Sequence, residues 1–417
     1  MHTLLLILPL IVVMVLLILR QHMLVAGAVG GILAILIGGL SLGDAGSIFT
    51  KGAASMLSIT TPILYAAAAM MVGKAGSVKA AVTLAKRGLG KQVGLLAAFM
   101  VLIQAGATYM AGMGAGNTMV TAPLVAAAVG AVPPVVAGMA IATAASFTTS
   151  PASTETIITA QFAQVDVAQH ASNMMPFTIL FWVIGMALAY WGVRKYGVLT
   201  GSEEGADDEL ASLPSGTLWV RSVPFIALLA MVILGSKLNG LLGFSLFTPG
   251  SIILFATVLT WLCCKMTLNE AAESLVNGGQ FILVTLFSVG MFLGFINMMG
   301  EIGTFEAIAN LAGAAPPAII APVAAIVAFA VAIPSGAMTA GVLALIMPTI
   351  AAIGVPSAAM GLVAIATGIG TQISPVQINV AALSQGFKKD VMEIIRMNMP
   401  YVIGALGLIV VLCFLVA

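Results

Sequence analysis

Charge is what this chain has least of. Asp, Glu, Lys and Arg make up 7% of its 417 residues, against roughly 25% in an ordinary soluble domain. So few charges cannot solvate the surface of a chain that is 61% hydrophobic, which excludes a soluble enzyme and a disordered chain. Neither sign dominates: 15 Lys+Arg face 14 Asp+Glu, a net +1, so the basic stripe of a nucleic-acid binder is missing. Cysteine is almost absent. Cys263, Cys264 and Cys413 lie in apolar runs, with neither the spacing of metal ligands nor that of a disulfide framework. No Gly-Lys-Ser/Thr phosphate loop occurs, so ATP is not expected to drive the protein, and no nucleophile-base constellation suggests an enzyme. What remains is an all-α polytopic membrane protein. At about 20 residues per span, with loops allowed for, about ten spans are expected.

Spans are expected at 3–19, 23–42, 55–73, 135–165 (broken), 174–193, 219–235, 249–264, 277–298, 356–386 (broken) and 398–416. The first is expected to be retained, because Arg20 follows it where a signal peptide would have a small-residue cleavage site. Two further apolar segments, 93–132 and 316–351, have Gly/Ser/Thr-rich centres and suit two re-entrant hairpins. With that folding, Arg20, Lys74, Lys79, Lys86, Arg87, Lys91, Arg194, Lys195, Arg221, Lys265, Lys388, Lys389 and Arg396 share one side. Only Lys51 and Lys237 fall on the other. The positive-inside rule then makes the first side cytoplasmic and both termini periplasmic, in a bacterial inner membrane. Glu203, Glu204, Asp207, Asp208 and Glu209 mark a solvated cytoplasmic linker. The basic stretch from Lys74 to Lys91 is expected to lie along the membrane interface.

The two halves repeat. Ser150, Pro151, Gln161, Asp166, Val167, Met175 and Pro176 recur 224 residues on as Ser374, Pro375, Gln385, Asp390, Val391, Met399 and Pro400. In this topology one hairpin opens from the cytoplasm and the other from outside, so the repeats are inverted. Inverted repeats with interrupted helices point to a secondary transporter with its site near the bilayer midplane. The expected organisation is scaffold helices in 1–54, repeat one in 55–199, the acidic linker in 200–218, scaffold helices in 219–276 and repeat two in 277–417.

Interrupted helix inside lipid leaves backbone groups that need a partner. Four clusters qualify: Gly112 to Thr118 with Thr121; Thr148 to Glu155; Pro334 to Thr339; and Thr371 to Asn379. From these, Asn117, Thr118, Ser150, Ser153, Thr154, Ser335, Thr339, Ser374, Gln377 and Asn379 are expected to line a substrate site. Glu155, Gly116, Thr149, Gly336 and Thr371 are expected around a coupling ion. Glu155 is the sharpest of them, because an ionisable group at membrane depth costs a few kcal/mol and is functional by default. It has the chemistry of a proton carrier, a sodium ligand or a partner for a substrate amine; nearer the interface it would serve as a helix cap. His22 and His170 are expected in loops, and Asp166 and Asp390 at helix ends.

At these clusters the chain resembles the ion transporter superfamily. Gly116-Asn117-Thr118 followed by Pro123 is similar to the hairpin tip of divalent anion/sodium symporters, and Ser335, Gly336 and Thr339 with Pro348 to its degenerate second copy. The Ser150-Pro151 and Ser374-Pro375 breaks and the overall spacing resemble the C-type anaerobic C4-dicarboxylate carriers. The resemblance implies an elevator mechanism on a homodimeric scaffold, di- or tricarboxylate substrates and, in some members, cation exchange. The second hairpin lacks the Asn of the tip motif, and no Lys or Arg lies in an expected membrane core. The leading expectation is a secondary transporter of small organic anions such as succinate, fumarate or malate. It needs no cofactor beyond a coupling ion such as Na⁺, and coupling to Na⁺, H⁺ or counter-substrate is open. The alternatives are a cation/proton antiporter using Glu155, or a transporter of another carboxylate or an amino acid.

Overall fold

The computed structural model describes residues 2–19, 21–57, 60–89, 92–197, 210, 212–305, 307, 317–333, 339–375 and 377–416. Among these there are eighteen helices and no strand. In chain order they are α1 (His2–Ile18), α2 (Met23–Gly38), α3 (Leu42–Leu57), α4 (Thr61–Lys74), α5 (Ser77–Leu89), α6 (Val93–Ala111), α7 (Ala115–Val129), α8 (Pro133–Thr149) and α9 (Thr154–Phe162). Then follow α10 (Val167–Tyr196), α11 (Ser215–Leu242), α12 (Pro249–Cys263), α13 (Leu268–Glu301), α14 (Pro317–Ala332), α15 (Thr339–Ala352), α16 (Ser357–Thr371), α17 (Ile378–Phe387) and α18 (Val391–Val416). Ser335, Gly336, Glu306 and the five linker carboxylates lie outside the described residues.

Among the described residues, four helices are long and apolar enough to cross a membrane: α6, α10, the first 21 residues of α11, and α18. The pair α8 and α9, bent by 50° at its break, passes the same test as one unit. The first arm of hairpin one is therefore longer than the short helix expected there. At 19 residues it is about 28 Å long.

Helices α2, α3, α4 and α12 gather around α13, with α1 on α2 and α11 on α12. Small residues allow the close approach, as is usual where helices associate in lipid. A Cβ on Gly52 would lie 2.5 Å from the Gly294 Cα, and one on Gly290 2.7 Å from the Ala53 carbonyl. Further along, Ile63 meets Gly279. So α3 and α4 run antiparallel beside α13, while α2 runs parallel to it, from Gly27 beside Phe292 to Gly38 beside Ile302. The span expected at 55–73 is thus served by two helices. The boundary expected at 54/55 falls inside α3, and that at 276/277 inside α13. Asp44, Lys51 and several small residues lower the hydropathy of α3 and hide it from a span search. Likewise α11 starts at Ser215, inside the expected linker.

The remaining helices form a second group with a regular pairing. In the first half α6 packs on α8 and α10, and in the second α14 packs on α16 and α18. The second arms cross over: α7 packs on α17, and α15 on α9. The amphipathic α5 lies between the groups, on α11 and α6. It is fixed at one end by Phe225 N, which follows Pro224, donating to Ser77 Oγ (3.1 Å), and at the other by Arg87 donating to Ser215 Oγ (3.1 Å). His170 is not in a loop. It is buried in the first turn of α10, 3.2 Å from Ser357 Oγ. Asp166 and Asp390 do sit at helix ends, accepting from the N–H groups of Ala168 and Gln169, and of Met392.

Candidate functional site

The site is built around the turn between α6 and α7. Gly112 ends α6 in the left-handed conformation, φ +70, where glycine alone is free of a steric cost. It is also wedged against the break between α8 and α9. A Cβ here would lie 2.8 Å from Ser153 N and closer still to the Ala152 carbonyl. Ser150 secures the contact by donating to the Tyr109 carbonyl at 2.5 Å. Two residues further on, Gly114 leaves room for Thr143 of α8 and Asn379 of α17. The two broken helices themselves touch where Gly368 of α16 accommodates the Thr148 methyl.

A chain of buried amides and hydroxyls crosses this region. The Gln104 amide lies between the Thr121 hydroxyl and that of Thr118, 2.5 Å from the latter. Thr118 Oγ1 is 2.6 Å from Asn379 Oδ1, Asn379 Nδ2 is 2.6 Å from Gln372 Oε1, and Gln372 Nε2 is 3.0 Å from Thr371 Oγ1. Asn398 of α18 donates to the Gln372 carbonyl at 3.0 Å, and its own Oδ1 is buried without a partner. Hairpin one is thereby tied to the second interruption through side chains alone.

Several residues expected in the substrate site or around the coupling ion therefore have internal work. Asn117 donates to the carbonyls of Ala107 (3.0 Å) and Met113 (3.3 Å), stapling the two arms of its hairpin. Thr149 meets Thr178 at 2.7 Å, and Thr371 donates to the Gly368 carbonyl. Ser153 caps α9 by accepting from Thr156 N. Ser374, Gln377 and Thr339 are buried, and Gly116 lies in the first turn of α7. Thr154 differs: it is buried, and its hydroxyl has no hydrogen-bond partner. Glu155 follows it, partly buried in the first turn of α9. Sequence reasoning missed Gln104 and Asn398. Each is a lone amide in an apolar helix, and the cost of burying such a group without partners was the available signal.

Three helix starts converge here. α7 begins at Gly114 and α17 at Gln377, both without a side-chain cap, and α9 begins at Ser153. Each N-terminus carries unpaired N–H groups and about half a positive charge. No metal-ligating cluster of His, Cys, Asp or Glu occurs among the described residues.

Among solved structures the chain is similar to the YdaH transporter of Alcanivorax borkumensis. The TM-score is 0.56 at 14% identity, over 88% of this chain and 86% of that one. The chain has the fold of a membrane transporter. No protein-family model and no curated protein matches it. With the apolar helices, the shared fold makes this an integral membrane protein, and the converging helix starts lie within that fold.

The amide chain is open to test. Gln104→Leu removes the side-chain hydrogen bonds to Thr118 and Thr121, each worth about 0.5–1.5 kcal/mol, while Thr118 keeps Asn379 and Thr121 the Asn117 carbonyl. Thermal denaturation in detergent should show a lowered midpoint; an unchanged one would mean that the chain contributes nothing.

Proposed function

We propose that the protein is a secondary active transporter of small organic anions, with C4-dicarboxylates such as succinate, fumarate and malate as the leading substrate class. The observation that carries this reading is the meeting of three helix starts, two of them without a side-chain cap, around the Gly112–Gly114 turn. Backbone N–H groups and aligned dipoles hold an anion without a fixed positive charge, and the helices bearing them contribute no Lys or Arg at their starts. The buried, unpartnered Thr154 hydroxyl adds a further hydrogen-bonding group.

The packing supports the rest of the mechanism. The crossed pairing of hairpin arms with the opposite broken helix supports inverted repeats. Contact of the α6–α7 turn with the α8–α9 break supports a hairpin that turns back inside the bilayer, even though α6 alone is long enough to cross. The division into a group around α13 and a group holding the site, with α5 between them, supports an elevator movement on a scaffold that dimerises. In this reading the basic ends of α4, α5 and α10 face the cytoplasm and both termini are periplasmic.

Purified protein in proteoliposomes is expected to accumulate labelled succinate under an imposed Na⁺, H⁺ or counter-substrate gradient. The same protein in detergent should be stabilised by carboxylates, through mass action. Absence of uptake, exchange and stabilisation across a panel of carboxylates and amino acids would reject the reading. A Na⁺-evoked pH change in vesicles without organic solute would instead favour a cation/proton antiporter.

A further inference from the structure

Glu155 occupies an awkward position for a site that holds anions. It lies in the first turn of α9, directly after the buried and unpartnered Thr154. The N–H groups of that first turn have no partner within the helix. Ionisable groups on helices packed against α9 are sparse. On α10 they are His170, Tyr190, Arg194, Lys195 and Tyr196, and on α13 Glu270, Glu273 and Glu301; α8, α15 and α16 carry none. His170 is engaged with Ser357. Arg194 and Lys195 lie at the opposite end of α10 from its start after α9, about 40 Å along the helix, where they stack on Tyr190 and Trp191. Among the described residues, none of these helices brings a cation to the start of α9.

We infer that Glu155 acts as a tethered anion on the donors that the transported anion needs, so that solute and one proton, carried on Glu155, cross together. An incoming carboxylate and the Glu155 carboxylate would compete for the same N–H groups and repel each other. Protonation of Glu155 removes the repulsion and turns an acceptor-only group into one that can donate to the solute. The proton is taken up with the anion on one side and released with it on the other. This rests on the anion site proposed above and assigns its coupling ion.

The test uses the full-length protein in proteoliposomes with labelled succinate as probe and a pH-sensitive dye in the lumen. In wild type, succinate uptake without Na⁺ should be driven by an inward proton gradient and should acidify the lumen. Its apparent Kd should rise by up to about tenfold per pH unit across the titration of the carrier, as linkage to one proton requires. Glu155→Gln should lose proton-driven accumulation and the pH dependence of binding, and Glu155→Asp should recover both in part. Uptake by wild type that depends on Na⁺ and moves no protons would overturn the inference and leave the anion reading intact. So would proton-driven accumulation that persists in Glu155→Gln. Should Glu155→Gln fail to fold, the lumenal pH signal of wild type decides alone. Failure of wild type to bind or move succinate or any other carboxylate would overturn the site reading and the inference together.

Discussion

Gly112→Ala should abolish succinate transport, even though it adds a single methyl group. The added carbon would enter the space of the Ala152 carbonyl and the Ser153 nitrogen, and the residue would be held at φ +70. Left-handed backbone costs a non-glycine residue about 1–3 kcal/mol, and overfilling a packed region typically costs another 1–3 kcal/mol. The cheapest relief moves the turn away from the α8–α9 break, which separates the starts of α7 and α9. Initial rates in proteoliposomes, normalised to reconstituted protein, are the measurement. Wild-type rates in Gly112→Ala would show that the turn need not touch the break.

The second large effect lies at the crossing of α8 and α10. Gly138 and Gly185 face one another across it; a Cβ on Gly185 would lie 2.7 Å from the Gly138 carbonyl, and one on Gly138 closer still to that of Gly185. Both partners are backbone and cannot swing aside. Gly138→Leu is expected to force the two helices apart along their length and to cost more than the usual 1–3 kcal/mol of overpacking. The variant should fail to yield a monodisperse peak in size-exclusion chromatography, whereas Gly404→Leu, with open space around it, should behave as wild type. A monodisperse Gly138→Leu with an unchanged melting midpoint would contradict the packing described.

What could be read from the residues, and what could not, divides along physical lines. Helices appear where long apolar runs were expected, and chain breaks appear at Ser150-Pro151 and Ser374-Pro375, because proline removes a donor and hydroxyls offer the backbone an alternative partner. The α6–α7 turn was visible as Gly112, Gly114 and Gly116 between two apolar runs. The helix α3 was not, because it is held against α13 by small residues instead of by hydropathy. Gln104 and Asn398 escaped notice because a single amide forms no pattern until its partners, Thr118 and Gln372, are brought alongside from distant segments. Nor could sequence separate hydroxyls with internal duties, such as Ser150 on the Tyr109 carbonyl, from one left over, such as that of Thr154.

The short loop joining α6 to α7 leans on both interrupted helices at once, through Gly112 on one and Gly114 on the other. If the proposed site is correct, a solute lodged there would be gripped from two halves of the chain by a common brace, and neither half could loosen alone. Escape would then require the entire cassette to shift relative to its surroundings, so residence time should track that collective step more closely than the strength of any individual contact.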